Sequence, residues 1–269
     1  MTRHAEPGVL DTGTGDPVVL VMGTGATGRV WHTHQVPALV GAGLRAITFD
    51  NRGLRPGDEP GFTVADLVAD LAALIEGLGA GPCALVGTSL GAYVVQELLL
   101  ARPELATRAV LMATKGRSDV LRDRLAQAEK DLYDSGARVP ASYSAVVRAM
   151  QFLSPRTLDR DAADWLDLLE LTARFDAGTR AQLDLEPAPD RLAAYTAITV
   201  PCHVIAFADD LITPPHLGRE VAAAIPGATF EVIGDCGHYG YLENPTAVNA
   251  SLLAYLCRDS TEEGPAGDH

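Results

Sequence analysis

The sequence has little cysteine: four residues among 269, and no Cys-x-x-Cys pair. Cys83, Cys202, Cys236 and Cys257 lie far apart along the chain. Structural zinc sites and redox-active dithiols both need closely spaced cysteines, so neither kind of site is expected. The sequence therefore predicts buried free thiols, no metal site and no cofactor.

Basic residues are also scarce. The chain has 21 Lys and Arg against 35 Asp and Glu, which gives a formal net charge of −14. A protein that binds nucleic acid independently of sequence needs a basic surface, and so does one that binds anionic lipid. We therefore expect neither nucleic acid nor a membrane as a partner.

Long apolar runs are missing as well. No run approaches the roughly 20 residues that cross a bilayer. Residues 1–7 have no apolar core of the kind found in signal peptides, so a cytoplasmic location is expected. The hydrophobic content of 47% is ample for one large domain, or for a domain that carries an insertion.

Strand and helix patterns alternate through the first 113 residues and again after residue 200. Such alternation predicts an α/β fold with a doubly wound, mostly parallel sheet. The predicted strands are a short edge strand within residues 1–16, then residues 17–22, 45–50, 84–86, 108–113, 200–207 and 229–233. The predicted helices are residues 31–41, 63–78, 93–100, 216–225 and 245–256.

Residues 115–195 interrupt this alternation, and we call them the lid segment. Their amphipathic patterns predict helices over residues 120–133, 141–152, 162–175 and 189–196, and no strand. Residues 1–114 and 196–258 are then the α/β core, the lid segment covers the carboxyl edge of the sheet, and residues 259–269 form a disordered tail. Four lid side chains are candidates for lining a pocket, although packing of the lid against the core is the favoured explanation for each: Tyr143, Met150, Phe152 and Trp165.

A Gly-x-Ser-x-Gly motif, residues 87–91, lies between a predicted strand and a predicted helix. This context is typical of a nucleophile elbow, a sharp turn that exposes a serine hydroxyl above a sheet. Glycine at both ends would avoid a Cβ that crowds the neighbouring strand or helix. The alternative is that Ser89 simply caps the helix that it opens.

A serine nucleophile needs a histidine base supported by a carboxylate, and elbow enzymes carry them in the order serine, acid, histidine. Asp209 and Asp210 follow the predicted strand 200–207, and we prefer Asp210 of the two. His238 alone of the seven histidines lies in a loop directly after a late strand. Asp235 is a competing acid, but it lies too close to His238 in sequence to reach the far ring nitrogen readily.

The developing negative charge on the substrate also needs two N–H donors. The Leu90 N–H at the start of the helix is one, and the Thr24 N–H in the loop after the strand 17–22 is the second. A dinucleotide loop is the alternative for this stretch, because residues 23–28 match Gly-x-Gly-x-x-Gly and Asp50 follows 22 residues after the last glycine. We favour the oxyanion loop because the residues after Gly28 fit a loop containing Trp31 better than a helix.

Several short segments carry these features: Met22-Gly23-Thr24, Phe49-Asp50-Asn51-Arg52-Gly53, Val86-Gly87-Thr88-Ser89-Leu90-Gly91, Asp210 four residues before Pro214, and Gly237-His238 followed by Leu242-Glu243-Asn244-Pro245. In them the chain resembles the α/β-hydrolase superfamily, in its esterase, lactonase and non-haem haloperoxidase-like branch. The resemblance implies an eight-stranded type of sheet with an inserted helical lid. It also implies a Ser89–His238–Asp210 triad with Thr24 and Leu90 as oxyanion donors.

The chain departs from that family at three places. Met22 stands where histidine is usual, Arg55 and Gly57 stand in place of Gly-x-Ser, and Ala92 replaces a third glycine. These departures suggest a specialised member that acts on a bulky natural product.

The expected function is a serine hydrolase that cleaves a carboxylic ester, lactone or thioester of a small to medium organic substrate. One alternative is a non-hydrolytic enzyme on the same fold: a cyclase, a lyase or a cofactor-free peroxidase. Another is a small-molecule binder without turnover. The sequence leaves open whether the chain forms a homo-oligomer.

Overall fold

The computed structural model describes residues 8–172, 176–185 and 190–258. The predicted disordered tail, residues 259–269, lies outside this part of the chain. A single sheet contains seven strands in the order β1-β3-β2-β4-β5-β6-β7, with β1 antiparallel to β3 and the others parallel. They are β1 (Leu10–Thr12), β2 (Pro17–Val21), β3 (Arg45–Thr48), β4 (Cys83–Thr88), β5 (Ala106–Met112), β6 (Cys202–Phe207) and β7 (Thr229–Ile233).

The predicted fold class is confirmed, and each of the seven strands anticipated individually is present. The described residues hold seven strands rather than the eight implied by the family resemblance. Pleating sends successive β2 side chains to opposite faces of the sheet. Val18 and Leu20 join one buried cluster, while Val19 and Val21 join the other. Because both faces are covered, β2 is apolar throughout.

Helices pack on both faces of the sheet. The Val19 cluster includes residues of the helices Val64–Leu78, Leu90–Ala101, Leu192–Tyr195 and Pro215–Ala224, and the Val18 cluster includes residues of the helices Gln35–Gly41, Gly240–Glu243 and Pro245–Leu256. In chain order the helices of the core are α1 (Gln35–Gly41), α2 (Val64–Leu78), α3 (Leu90–Ala101), α10 (Pro215–Ala224), α11 (Gly240–Glu243) and α12 (Pro245–Leu256).

Helix boundaries in the core follow local chemistry. Thr63 and Asp66 form a capping box at the start of α2, with each side chain bonding to the backbone N–H of the other residue. The predicted helix 31–41 is instead a 3-10 helix, Gly28–Thr33, followed by α1. Pro37 has no N–H to donate to the Thr33 carbonyl, so one continuous α-helix cannot form there.

The described part of the lid segment contains six helices and no strand. Its helices are α4 (Val120–Asp134), α5 (Ala141–Phe152), α6 (Pro155–Arg160), α7 (Ala162–Thr172), α8 (Ala177–Leu183) and α9 (Leu192–Tyr195). A small apolar cluster of its own, separate from the two sheet clusters, contains Ala145, Ala149, Leu153 and Leu169.

The sequence patterns missed α6 and α8. Each begins with a capping side chain, Ser154 on the Thr157 N–H and Asp176 on the Thr179 N–H, but each is too short for a clear apolar period. The predicted helix 162–175 ends at Thr172, and residues 173–175 lie outside the described part of the chain. Residue 189 of the predicted helix 189–196 also lies outside the described part, and the described residues are helical over α9.

Within the described ranges, no helix combines the length and the apolar character needed to cross a membrane.

Because α3 lies so close to the sheet, one added methyl group at Gly91 is expected to destabilise the fold. A Cβ at Gly91 would lie 2.1 Å from the Val21 carbonyl oxygen, so Gly91→Ala is expected to lower the free energy of unfolding by at least about 2 kcal/mol. Gly77 in α2 is the matched control, because a Cβ there meets nothing within 4 Å. Gly77→Ala is expected to raise the free energy of unfolding by about 0.5–1 kcal/mol. Urea unfolding measures both, and equal effects of the two variants would contradict the packing argument.

Candidate active site

Ser89 lies at the turn from β4 into α3, with a strained backbone. Its φ of 53° and ψ of −121° are rare for a residue with a side chain. A Cβ at Gly87 would lie 2.6 Å from the Ala92 Cα, so glycine is needed for this sharp turn, as it is at Gly91. The Ser89 side chain makes no capping hydrogen bond with α3, so helix capping does not explain the serine.

His238 and Asp210 meet beyond the ends of β7 and β6. The Asp210 Oδ2 lies 2.8 Å from the His238 Nδ1, and both residues are buried. The Asp210 carboxylate also accepts hydrogen bonds from the Ile212 N–H at 2.7 Å, the Thr213 N–H at 2.8 Å and the Thr213 hydroxyl at 2.7 Å. Four contacts therefore hold this carboxylate against the imidazole ring.

Burial and these contacts shift the pKa of Asp210 in opposite directions. Burial alone would raise its pKa, but the charge and hydrogen bond of His238 and the two bonds from Thr213 together hold the pKa below its ordinary value. The carboxylate is therefore ionised at neutral pH and can support a positive charge on the imidazole ring.

The two competing acids lie elsewhere. Asp235 pairs with Arg156 at the surface. Asp209 is half-buried, and its backbone N–H donates to the Cys236 carbonyl at 2.9 Å. Asp210 is thus the carboxylate that the fold presents to His238.

One cavity of about 890 Å³ connects the predicted site residues. Parallel strands bring the loops after β2, β4, β6 and β7 to the same edge of the sheet, and the cavity lies at that edge beneath the lid segment. Four of the five predicted site residues line it: Ser89, His238, Thr24 and Leu90. The fifth, Asp210, lies behind His238.

The loop after β2 is fixed on both sides of Thr24. The Met22 carbonyl accepts a hydrogen bond from the Asn51 side chain at 2.7 Å, and the Gly25 N–H donates to the Gln182 Oε1 at 2.8 Å. A Cβ at Gly23 would lie 3.0 Å from the Ser89 Cβ, so the loop passes directly beside the elbow. Thr24 directly follows Gly23 and lines the same cavity as Ser89, which is compatible with a role as an oxyanion donor.

The dinucleotide alternative does not fit these contacts. Asp50, which would bind a ribose, instead accepts a hydrogen bond from the Gly28 N–H at 2.8 Å. The Gly25 N–H is also engaged by a side chain of the lid segment. Two of the glycine amides that would face a phosphate are therefore satisfied within the protein.

The four lid side chains proposed as pocket lining divide into two groups. Tyr143 and Phe152 line the cavity, and the Phe152 ring lies 5.7 Å from that of His238. Met150 is largely exposed, and Trp165 packs against the apolar cluster of the lid segment. The outcome depends on which side of a helix faces the sheet, and the spacing of apolar residues alone does not specify that.

Sequence reasoning missed Gln182 on α8. This side chain is buried, and it bridges two core loops: its Oε1 accepts from the Gly25 N–H, and its Nε2 donates to the Arg52 carbonyl at 2.8 Å. Gly178 packs so closely on Gly53 that a Cβ would lie 1.7 Å from the Gly53 carbonyl oxygen. No sequence signal singles out this glutamine, because it lies between Arg180 and Asp184 in a stretch of mixed polar and apolar residues.

Comparison with known proteins agrees with this architecture. Residues 18–251 match the model of the "Alpha/beta hydrolase family". The chain is 49% identical to "Putative non-heme bromoperoxidase BpoC" of Mycobacterium tuberculosis, over 91% of this chain and 95% of the relative. It is 29% identical to "Putative carbamate hydrolase RutD" of Variovorax paradoxus, over 94% of this chain and 96% of the relative. The crystal structure of BpoC from M. tuberculosis H37Rv superposes with a TM-score of 0.91 at 46% identity, covering 96% of this chain and 98% of that one.

The lowered pKa of Asp210 predicts how its contribution to stability changes with pH. A group whose folded pKa lies below the unfolded value of about 3.9 stabilises the fold fully above that value, and the contribution is lost as the pH falls through the folded pKa. The free energy of unfolding of the wild type, minus that of Asp210→Asn, should therefore shrink as the pH falls from 5 to 2.5. Urea unfolding at several pH values measures this difference.

The control for this measurement is Asp209→Asn, which leaves the contact between Asp210 and His238 in place and should retain the wild-type pH dependence. If the difference in free energy of unfolding between wild type and Asp210→Asn stays constant or grows as the pH falls, the predicted direction is wrong.

Proposed function

The chain belongs to the α/β-hydrolase family, and we propose that it is a serine hydrolase that cleaves an ester, lactone or thioester of a small to medium organic molecule. One observation carries the proposal. His238, which is paired with the buried Asp210, and Ser89 on its strained elbow both line one cavity. Catalysis through an activated serine needs these groups together.

Proton transfer follows from the His238 contacts. Asp210 accepts at Nδ1, so the neutral ring carries its proton there and leaves Nε2 as a base. Nε2 takes the proton of the Ser89 hydroxyl as Oγ attacks the substrate carbonyl. Asp210 stabilises the imidazolium that results, and the imidazolium then protonates the departing alcohol or thiol.

The negative oxygen formed in this step is met by the Thr24 and Leu90 N–H groups. Loss of one such donor in a related site typically costs about 10²–10³ in rate. Water then attacks the Ser89 acyl-enzyme, with His238 again as the base, and releases the acid and the free serine.

The cavity indicates the size and character of the substrate. Its volume of about 890 Å³ suits a medium-sized organic molecule. Much of its wall is apolar or aromatic: Met22, Leu90, Tyr143, Phe152, Tyr239 and Tyr241. We further propose that the lid segment, which supplies many of the lining residues, closes over the bound substrate and sets specificity.

A second candidate is a cofactor-free haloperoxidase, favoured by the name of the relative with 49% identity. Hydrogen peroxide would replace water in the attack on the Ser89 acyl-enzyme and release a peroxy acid. The peroxy acid would oxidise bromide to hypobromite and return to the carboxylic acid. The same serine and histidine serve both reactions, so the two candidates differ only in the attacking nucleophile.

An activated serine should react with a fluorophosphonate probe. We expect covalent labelling at Ser89 in the wild type, found by mass spectrometry of the modified peptide. Labelling should disappear in Ser89→Ala, and aryl-ester hydrolysis should fall by at least about 10³-fold. Ser144→Ala is the matched control, because Ser144 lines the same cavity from α5 and should leave labelling unchanged. A folded wild type that neither labels nor cleaves aryl esters would contradict the proposal and favour a binding role.

The second candidate predicts bromination of a dimedone probe in the presence of acetate, hydrogen peroxide and bromide. The activity should require acetate, because acetate supplies the acyl group, and it should disappear in Ser89→Ala. Bromination that persists without acetate or in Ser89→Ala would contradict the acyl-enzyme route.

A further inference from the structure

Arg122 has an unusual environment for an arginine. It lies on α4, lines the cavity, and exposes only 9% of its surface. Within the described ranges it is the one arginine whose residue is buried. A guanidinium keeps its positive charge at every pH that the fold survives, so this charge sits against the cavity largely removed from water.

The protein supplies little to balance that charge. The Arg122 Nη1 donates to the Leu211 carbonyl over a long 3.4 Å, and the buried Nε has no hydrogen-bond partner. No carboxylate of the described residues forms an ion pair with Arg122. A buried charge without a partner is strongly unfavourable, so buried arginines are ordinarily paired.

More than half of the other arginines in the described ranges form such a pair. Each of nine arginines forms an ion pair with an aspartate or glutamate, although all of them are more exposed than Arg122: Arg45, Arg52, Arg55, Arg102, Arg117, Arg156, Arg160, Arg180 and Arg191. With 35 acidic residues, the chain does not lack partners. Arg122 is buried, which makes an ion-pair partner most important for it, yet it has no such partner among the described residues.

The residues that line the cavity carry a net positive charge, whereas the chain as a whole is net negative. Among the described residues that line it, Lys115, Arg122 and Arg148 are cationic, and Glu129 is the single carboxylate. The chain as a whole carries a net charge of −14. Positive charge is therefore concentrated at the place where a substrate binds.

We propose that Arg122 binds an anionic group of the substrate, and that this group is a carboxylate. The planar fork of a guanidinium matches the two oxygens of a carboxylate, and Nε is one of the two donors that such a pair uses. The contact with the Leu211 carbonyl holds the guanidinium next to residues 211–213, of which Ile212 and Thr213 line the cavity. The proposal refines the substrate class of the proposed function and rests on it for the reaction.

Two esters that differ at one end test the proposal. They are 4-nitrophenyl hexanoate and mono-4-nitrophenyl adipate, in which a carboxylate replaces the terminal methyl group. We expect the wild type to prefer the adipate ester in kcat/KM by about tenfold or more. Arg122→Met should lower kcat/KM for the adipate ester by about 10–100-fold, chiefly through KM, and for the hexanoate ester by less than about threefold.

Two variants control for the loss of a positive charge, and thermal unfolding controls for the loss of the fold. Arg124 is exposed on the same helix and does not line the cavity, so Arg124→Met should leave both esters unchanged. Arg122→Lys keeps the charge without the fork and should recover part of the preference for the adipate ester. Thermal unfolding confirms that each variant is folded, and an equal loss of rate with both esters in a folded Arg122→Met protein would overturn the proposal.

Direct binding separates this proposal from the proposed reaction. Adipate should bind to Ser89→Ala in calorimetry, and binding should weaken at least about tenfold in the double variant Ser89→Ala, Arg122→Met. If Ser89 does not label and neither ester is cleaved, the hydrolase proposal fails while the adipate measurement still decides the role of Arg122. If both esters are cleaved but adipate binding does not depend on Arg122, the carboxylate site is wrong and the hydrolase proposal stands.

Discussion

The close packing of α3 on the sheet is the constraint on which the site depends. Gly91 lies under the Val21 carbonyl, Gly87 lies against Ala92, and between them Ser89 is held with a positive φ. The strain at one residue is maintained because the packing on both sides leaves no other path for the chain. That packing also fixes the distance from α3 to the end of β2, where the loop that carries Thr24 begins.

The rest of the site adds charge to this rigid frame. β6 and β7 deliver Asp210 and His238 to the same edge, and four hydrogen bonds hold the carboxylate in place. The lid segment adds aromatic surface from α5 and a buried guanidinium from α4. Under the proposed function, the reacting groups come from the sheet edge, and the lid segment supplies much of the surface that would contact the substrate.

The sequence was informative where the backbone itself restricts residue type. The glycines around Ser89, the proline after Asp210 and the loop position of His238 are tied to strand ends, so their spatial neighbours follow from topology. Gln182 and Arg122 lie on helices, where which residue faces the cavity depends on rotation and on the approach of neighbouring helices. Short helices such as α8 also have too few residues for an apolar period, so their contacts with the core could not be anticipated.

The bridge made by Gln182 ties the cover of the cavity to the loop that carries Thr24. If α8 moves away from the core, Gly25 loses its hydrogen-bond partner, and the tight contact between Gly178 and Gly53 opens with it. A site that is opened to bulk water in this way would also lose the contact that positions the loop carrying Thr24. Under the proposed function, shelter of the cavity from solvent and placement of the Thr24 N–H therefore depend on the same few contacts.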